Sequence, residues 1–188
     1  MKYCSLCGHP LRVAVPPGDN RPRHVCGHCG EVHYQNPKVV VGAIARWEDR
    51  VLLCRRAIEP RLGWWTLPAG FMENGESTME AAMRETWEEA GALIEVEDLH
   101  ALIDVPPIQQ VHLFYRARLL RLDIAPGEES LETRLFRLDD IPWDELAFET
   151  VRLALRHEVD APGGGILVTS LGSKGSSDQR QRRTSPTA

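Results

Sequence analysis

The sequence predicts an α+β fold in which a mixed β-sheet is layered between helices, preceded by a small unit organised by cysteines. Three observations carry this reading. From "NPKVVVGAI" onward, apolar strand-like runs surround two stretches of helical periodicity. Residues 1–34 are instead rich in Cys, His, Gly and Pro and too short on aliphatic runs to build a core of their own. The length of 188 residues has room for one ordinary domain plus something small. The expected division is 1–34, then 35–160, then a tail at 161–188 whose Gly, Ser and Arg content predicts disorder.

The first element is set by spacing. Cys4 and Cys7, then eighteen intervening residues, then Cys26 and Cys29 make two Cys-x2-Cys pairs able to surround one tetrahedral Zn2+. Gly8 and Gly30 follow the pairs and let the backbone turn around a metal. Such a closed Cys4 site holds structure and has no open position for chemistry. His9, His24 and His28 lie nearby and read as surface residues. Paired thiols of this kind belong in a reducing compartment. The N-terminus lacks an apolar signal region, and no apolar run is long enough to span a bilayer, so the expectation is a cytoplasmic protein with no membrane partner.

In the second segment, apolar runs at 39–45 and 51–54 flank the polar "WEDR" and predict a strand pair with a tight connection. Cys54, alone in the second run, reads as a small buried hydrophobe. "AIEPRLGWWTLPAGFMENGE" is dense in Gly and Pro and predicts a long functional loop with one short strand at Trp65–Pro68. Ser77 with Glu80 forms a capping box and Gly91 a stop, which bound a helix whose predicted inner stripe is Met79, Ala82, Met83, Thr86 and Ala90. "ALIEVEDLHALIDV", "QVHLFYRARLL" and "ETRLFRL" predict strands, and "DELAFETVRLALRHEV" an amphipathic closing helix.

The net charge of -5 is a poor match to a sequence-blind nucleic-acid binder, so nucleic acid is not the expected partner. A polyanionic substrate would need a local positive charge, from arginine or bound metal. "RETWEEAGA" supplies a reason to expect metal: Glu85, Glu88 and Glu89 fall within little more than one helical turn, where like charges repel. Hard divalent cations such as Mg2+ take a few carboxylates plus water and substrate phosphate, and such a cation would resolve the conflict. Arg84, four residues from both Glu80 and Glu88, could lock the carboxylates by ion pairs on the helix face. An exposed acidic helix face is the alternative for the bare pattern.

The full stretch "GFMENGESTMEAAMRETWEEAGA" resembles the signature of the Nudix hydrolases at Gly70, Glu76, Arg84, Glu85, Glu88, Glu89 and Gly91. Thr86 and Ala92 depart from it, standing where larger aliphatics are usual. The resemblance covers about residues 36–160 and implies a Nudix-type α/β/α sandwich, with 1–34 as a zinc ribbon. It further implies hydrolysis of a nucleoside diphosphate linked to another moiety X by Mg2+ or Mn2+ and a water nucleophile. The implied metal ligands are Glu85, Glu88, Glu89 and the Gly70 carbonyl, with Glu88, Glu89 and Arg84 in the catalytic set. The proton acceptor would be Glu89 or a loop carboxylate among Glu128, Glu129 and Glu132. Arg55 and Arg56, with Glu76, are the candidates for substrate contact, while Trp64 and Trp65 read as packing rather than base stacking.

A zinc ribbon before such a domain is similar to the NADH pyrophosphatases, and "HYQNPKVVVGAI" echoes their domain junction. Their Ser-Gln-Pro-Trp-Pro-Phe-Pro run is replaced here by "IDVPPIQQVHLFY". ADP-ribose pyrophosphatases resemble this chain in a proline about fifteen residues past the signature, Pro107. Zinc-ribbon relatives of plastid FAD pyrophosphatases look similar across both segments. The expected substrate is therefore a small dinucleotide, ADP-ribose or FAD ahead of NADH, with a nucleotide sensor or an RNA-cap hydrolase as rivals. The family resemblance also admits a homodimer.

Overall fold

In the computed structural model, which describes residues 1–172, the chain divides after Pro37 into two compact units. The first is a three-stranded antiparallel sheet of β1 (Leu11–Ala14), β2 (Arg23–Cys26) and β3 (Val32–His33). Its large apolar side chains, among them Leu6, Val13 and Val15, are exposed, so no aliphatic core holds it. The sulfurs do the gathering: the four Sγ atoms of Cys4, Cys7, Cys26 and Cys29 lie within 4.8 Å of one another, in two knuckles of the same design. Gly8 donates to the Cys4 carbonyl at 3.0 Å and Gly30 to the Cys26 carbonyl at 3.1 Å, both with positive φ (73° and 77°). A tetrahedral, all-thiolate donor set fits structural zinc. His33 Nε2 sits 3.3 Å from Cys4 Sγ, while His9 and His28 stack on each other at 3.8 Å.

In the second unit, β4 (Lys38–Trp47) and β5 (Arg50–Arg56) are the expected pair, and Glu48 takes φ 54° in the turn between them. β8 (Ile94–Val105), β9 (Gln110–Leu119) and β10 (Ser130–Arg137) complete the predicted strands. With β11 (Leu167–Ser170) the main path runs β10-β5-β4-β9-β8-β11, parallel at β4/β9 and β8/β11 and antiparallel elsewhere. Strand alternation sends successive β5 residues to opposite faces: Leu52 and Cys54 pack toward α1 (Thr78–Ala90), Val51 and Leu53 toward α2 (Glu149–Asp160). The outcome is a sheet with a core on each face.

Four expectations change. The loop before α1 contains two short strands, β6 (Trp65–Thr66) on β5 and β7 (Ala69–Phe71) on β4. Glycine at 42 permits this, because a Cβ there would come within 2.5 Å of Ala69. On α1 the capping box and the left-handed Gly91 stop are as predicted, but Met79 and Met83 are exposed. The buried face is Ala81, Ala82, Glu85, Thr86, Glu89 and Ala90, whose small members let the helix sit low on the sheet. The stretch expected to open the closing helix is broken: Trp143–Glu145 is a 3-10 turn, and α2 begins only at Glu149. The tail assigned to 161–188 also begins too early, since the apolar run Ile166–Val168 feeds β11, which pairs with β8 over Ala101–Asp104. Residues 173–188 lie outside the described part.

α2 is tied to the sheet by charge as well as by its apolar face. Glu158, fully buried, accepts from Arg116 Nε at 2.9 Å and from Arg46, with His100 Nδ1 at 3.6 Å; Arg116 also reaches Asp98 and the Gly164 carbonyl. The two arginines compensate a carboxylate that could not otherwise leave water.

Two outcomes follow from these cores. Glu158→Ala, which strands Arg116 in the interior, should lower the unfolding free energy measured in urea by roughly 3 kcal/mol or more. Metal analysis should find about one zinc per chain, and Cys7→Ser should lose that zinc together with the amide dispersion of residues 1–37.

Candidate active site

α1 delivers its carboxylates from a helix start fixed by Ser77 and a helix end fixed by Gly91. Ser77 Oγ accepts from the Glu80 amide at 3.3 Å while Glu80 Oε2 accepts from the Ser77 amide at 2.7 Å. At the other end the segment before β10 is clamped onto the helix: Ala125 donates to Ala90 O at 2.9 Å and Gly127 to Glu89 O at 3.0 Å. A Cβ at Gly127 would stand 1.7 Å from the Glu88 carbonyl oxygen, so only glycine lets the two backbones come this close. That clamp brings Glu128 and Glu129 to the same cleft as Glu85, Glu88 and Glu89.

Arg84 organises the carboxylates. Its Nε and Nη2 hold Glu76 at 3.0 and 2.7 Å, Nη1 holds Glu85 at 2.7 Å and Glu88 at 3.0 Å, and Nη2 donates to the Phe71 carbonyl at 3.1 Å. Glu76 is thus an anchor for Arg84: the guanidinium holds its carboxyl well below the ordinary range, at about 2. Glu88 is 55% exposed, and the three carboxylates of α1 are not drawn into one tight ligand-like cluster as the cysteines are. Glu85 and Glu89 are nevertheless 8% and 7% exposed. Burial, opposed in part by Arg84, pushes the Glu85 carboxyl up. Burial and then the neighbouring Glu85 push Glu89 up to about 8, with the Ala69 amide and Arg56 opposing. Glu89 Oε2 is buried without a hydrogen-bond partner.

Gly70 faces this pair so closely that a Cβ would meet Glu85 Oε2 at 2.3 Å. Two buried carboxyls, one oxygen orphaned, against a backbone that leaves room only for hydrogen, fit a hard divalent cation with oxygen ligands.

The cleft encloses about 960 Å3. Its other walls carry Val105, Ile108, Gln110, His112, Phe114 and Phe148. Sequence reasoning did not single these out, although "QVHLFY" had already been read as a strand, whose alternation puts Gln110, His112 and Phe114 on one face. The adjacent arginines part company for the same reason. Arg56 lines the cleft, its Nε on the Pro60 carbonyl and its guanidinium 5.1 Å from the Phe148 ring centre. Arg55 lies outside it, donating to the Gly63 carbonyl at 2.9 Å and facing Glu132. Glu132 pairs with Arg134 at 2.8 Å and is also outside, leaving Glu128 and Glu129 as the loop carboxylates of the site. Trp65 is buried against Phe136, as packing requires.

Family models match both units: a Nudix N-terminal zinc ribbon at residues 2–35 and a NUDIX domain at residues 36–155. The chain belongs to the Nudix family. The solved structure of a NUDIX hydrolase from Nitrosomonas europaea is 47% identical, with TM-score 0.87, covering 91% of this chain and 99% of that one. An ADP-ribose pyrophosphatase from Streptococcus suis is 26% identical, with TM-score 0.57, over 72% of this chain and 99% of that one. Among curated proteins, the NAD-capped RNA hydrolase NudC of Salmonella heidelberg (strain SL476) is 33% identical over 146 residues. That match takes in 75% of this Nudix chain, which spans about half (53%) of the length of that relative. No helix among the described residues is long and apolar enough to cross a membrane.

The raised Glu89 carboxyl has a stability consequence. Its proton is held more tightly folded than unfolded, so its contribution is fully present below the unfolded carboxyl range and is lost as pH rises through about 8. Without Mg2+ or Mn2+, the melting temperature should fall across that window, and Glu89→Gln should flatten the fall.

Proposed function

We propose that this Nudix enzyme cleaves the pyrophosphate of a dinucleotide, ADP-ribose or FAD, into AMP and a phosphorylated remainder. The observation that carries it is the cleft: about 960 Å3, the scale of a site for a ligand of this size, with paired buried carboxyls at one wall and apolar side chains opposite. The likeness to the Streptococcus suis ADP-ribose pyrophosphatase supports the same substrate class.

In this reading Glu85, Glu88, Glu89 and the Gly70 carbonyl hold Mg2+ or Mn2+, which when bound neutralises the pyrophosphate and acidifies a water. Arg84 keeps Glu85 and Glu88 aimed and takes no proton itself. Arg56 meets substrate phosphate. Glu89, Glu128 or Glu129 accepts the proton of the attacking water; all three line the cleft. No disulfide joins the cysteines of the described residues, which fits zinc ligation by thiolates in a reducing cytoplasm.

A second reading is favoured by a specific finding: the NudC relatives are named for hydrolysis of NAD-capped RNA, so an NAD-type dinucleotide, free or at an RNA end, stands next. One experiment separates the readings. Release of AMP from ADP-ribose, FAD and NADH, and of nicotinamide mononucleotide from NAD-capped RNA, is followed chromatographically at fixed Mg2+ and again with Mn2+. ADP-ribose or FAD should turn over fastest, and Glu88→Gln should cut that rate by more than about a hundredfold, a ligand mattering at least as much as the groups that orient it. Preference for the capped RNA would replace the first reading by the second. Silence across the panel, with nucleotide still bound, would identify a sensor.

A further inference from the structure

We infer that the amino end of α2, with the Thr150 hydroxyl and Arg56, forms a phosphate-binding subsite in the cleft. The inference rests on the dinucleotide reading of the cleft and adds to it a second place where a phosphoryl group is held by the protein's own donors.

Three independent features meet there. First, Phe148 is the N-cap residue of the 12-residue α2 and supplies no side-chain acceptor, so the first-turn amides of Glu149, Thr150 and Val151 are uncapped. Those three residues and Phe148 line the cleft. Uncapped first-turn amides at the positive end of the helix dipole are donors suited to an anion.

Second, Thr150 is 4% exposed and its Oγ1 is buried with no hydrogen-bond partner. A buried hydroxyl left unpaired costs stability, and a threonine in the first helical turn usually finds an acceptor. Here the cleft it lines is where a partner would come from. Third, Arg56 holds the Pro60 carbonyl through Nε at 2.8 Å, and neither Nη is paired among the described residues. Its guanidinium lies 5.1 Å from the ring centre of Phe148, the N-cap residue of α2. All of these are donors, so they select an oxyanion over a cation or an amine.

The Glu149 carboxylate is exposed and lies 3.3 Å from Arg152 Nε. Glu128 and Glu129 share the cleft, and the Ala57 amide donates to the Glu129 carbonyl at 2.8 Å, so Arg56 stands beside both that loop and α2. The amino end of α2 is also held still: Ala147 donates to the Trp65 carbonyl at 2.8 Å, and Leu146 bridges Trp65 as a buried neighbour. A phosphate bound there would meet a preorganised set of donors.

The test is amide NMR of the 15N-labelled full chain, titrated with inorganic phosphate in the presence of Mg2+ at constant ionic strength. The amides of Glu149, Thr150 and Val151 should shift saturably. Thr150→Val should weaken that binding about three- to tenfold, and raise the melting temperature by about 2–4 °C because an unpaired hydroxyl has been removed. Thr150→Ser should keep the affinity. A residue that only packs would not produce weaker binding together with a more stable fold. Shifts confined to α1, or equal affinity in wild type and Thr150→Val, would overturn the subsite. Turnover is not read in this experiment. A chain that binds phosphate at α2 yet cleaves no dinucleotide keeps the subsite and loses the proposed function, and the reverse result does the opposite.

Discussion

The burial of two carboxyls side by side on α1 is the constraint around which the second unit is arranged. Glu85 and Glu89 belong to the inner face of a helix whose other inner residues are alanines and a threonine, so the helix lies low on the sheet and takes the carboxyls out of water. Every neighbouring feature answers this. Gly70 gives up a side chain where Glu85 needs the space, Arg84 puts one guanidinium across Glu76, Glu85 and Glu88, and Gly127 lets a loop close over the helix end. Even so, Glu89 Oε2 has no partner. It is one of four such side-chain atoms among the described residues, and the only one of them on a carboxylate, where a cation would be the natural partner.

The second buried carboxylate makes the contrast. Glu158 is more deeply buried than either, yet Arg46 and Arg116 both reach it, and the Gly164 carbonyl and Asp98 occupy more of Arg116. That cluster is closed on itself: its charges are matched within the protein, and it fastens α2 and the segment after it to the sheet. The α1 cluster has one internal cation for three carboxylates, and Arg84 is itself shared with Glu76. Unmatched charge, more than burial alone, separates a site from a structural pin.

The same distinction explains what could be read from the sequence. The cysteine spacing, the Ser77–Glu80 box and the Gly91 stop are local chemistry, and each has its expected place because nothing distant has to cooperate. The α1 glutamates stand out as a candidate site because their mutual repulsion is visible in one dimension. Met79 and Met83 were misassigned because helical periodicity gives a stripe without saying which stripe faces inward, and here small residues and glutamates outrank methionine for the buried side. β7 and β11 are short strands whose existence depends on the edges they join, Gly42 opening β4 and Ala101–Asp104 offering β8. Arg55 and Arg56 are indistinguishable in sequence, and only the cross-strand geometry of β5 separates the cleft from the outer surface.

The composition of the cleft also bears on how sharply X can be told apart. At the α1 wall the groups are charged and numerous, and the proposed reading sets against them, through a cation, the pyrophosphate that all candidate substrates share. Away from it the walls are largely Val105, Ile108, Phe114 and Phe148, with Gln110, His112, Arg56 and Thr150 among the polar groups set into them. Apolar contacts discriminate by only about 10–200-fold for a small change in shape, whereas a buried polar group that loses its partner can reject by orders of magnitude more. His112 holds Gln110 Oε1 at 2.8 Å through Nε2, and its Nδ1 is buried and unpaired. Strong preference among ADP-ribose, FAD and NAD-type substrates would therefore come from such buried polar groups, Gln110, His112 and Thr150 among them, since the apolar wall around them can supply only modest ratios.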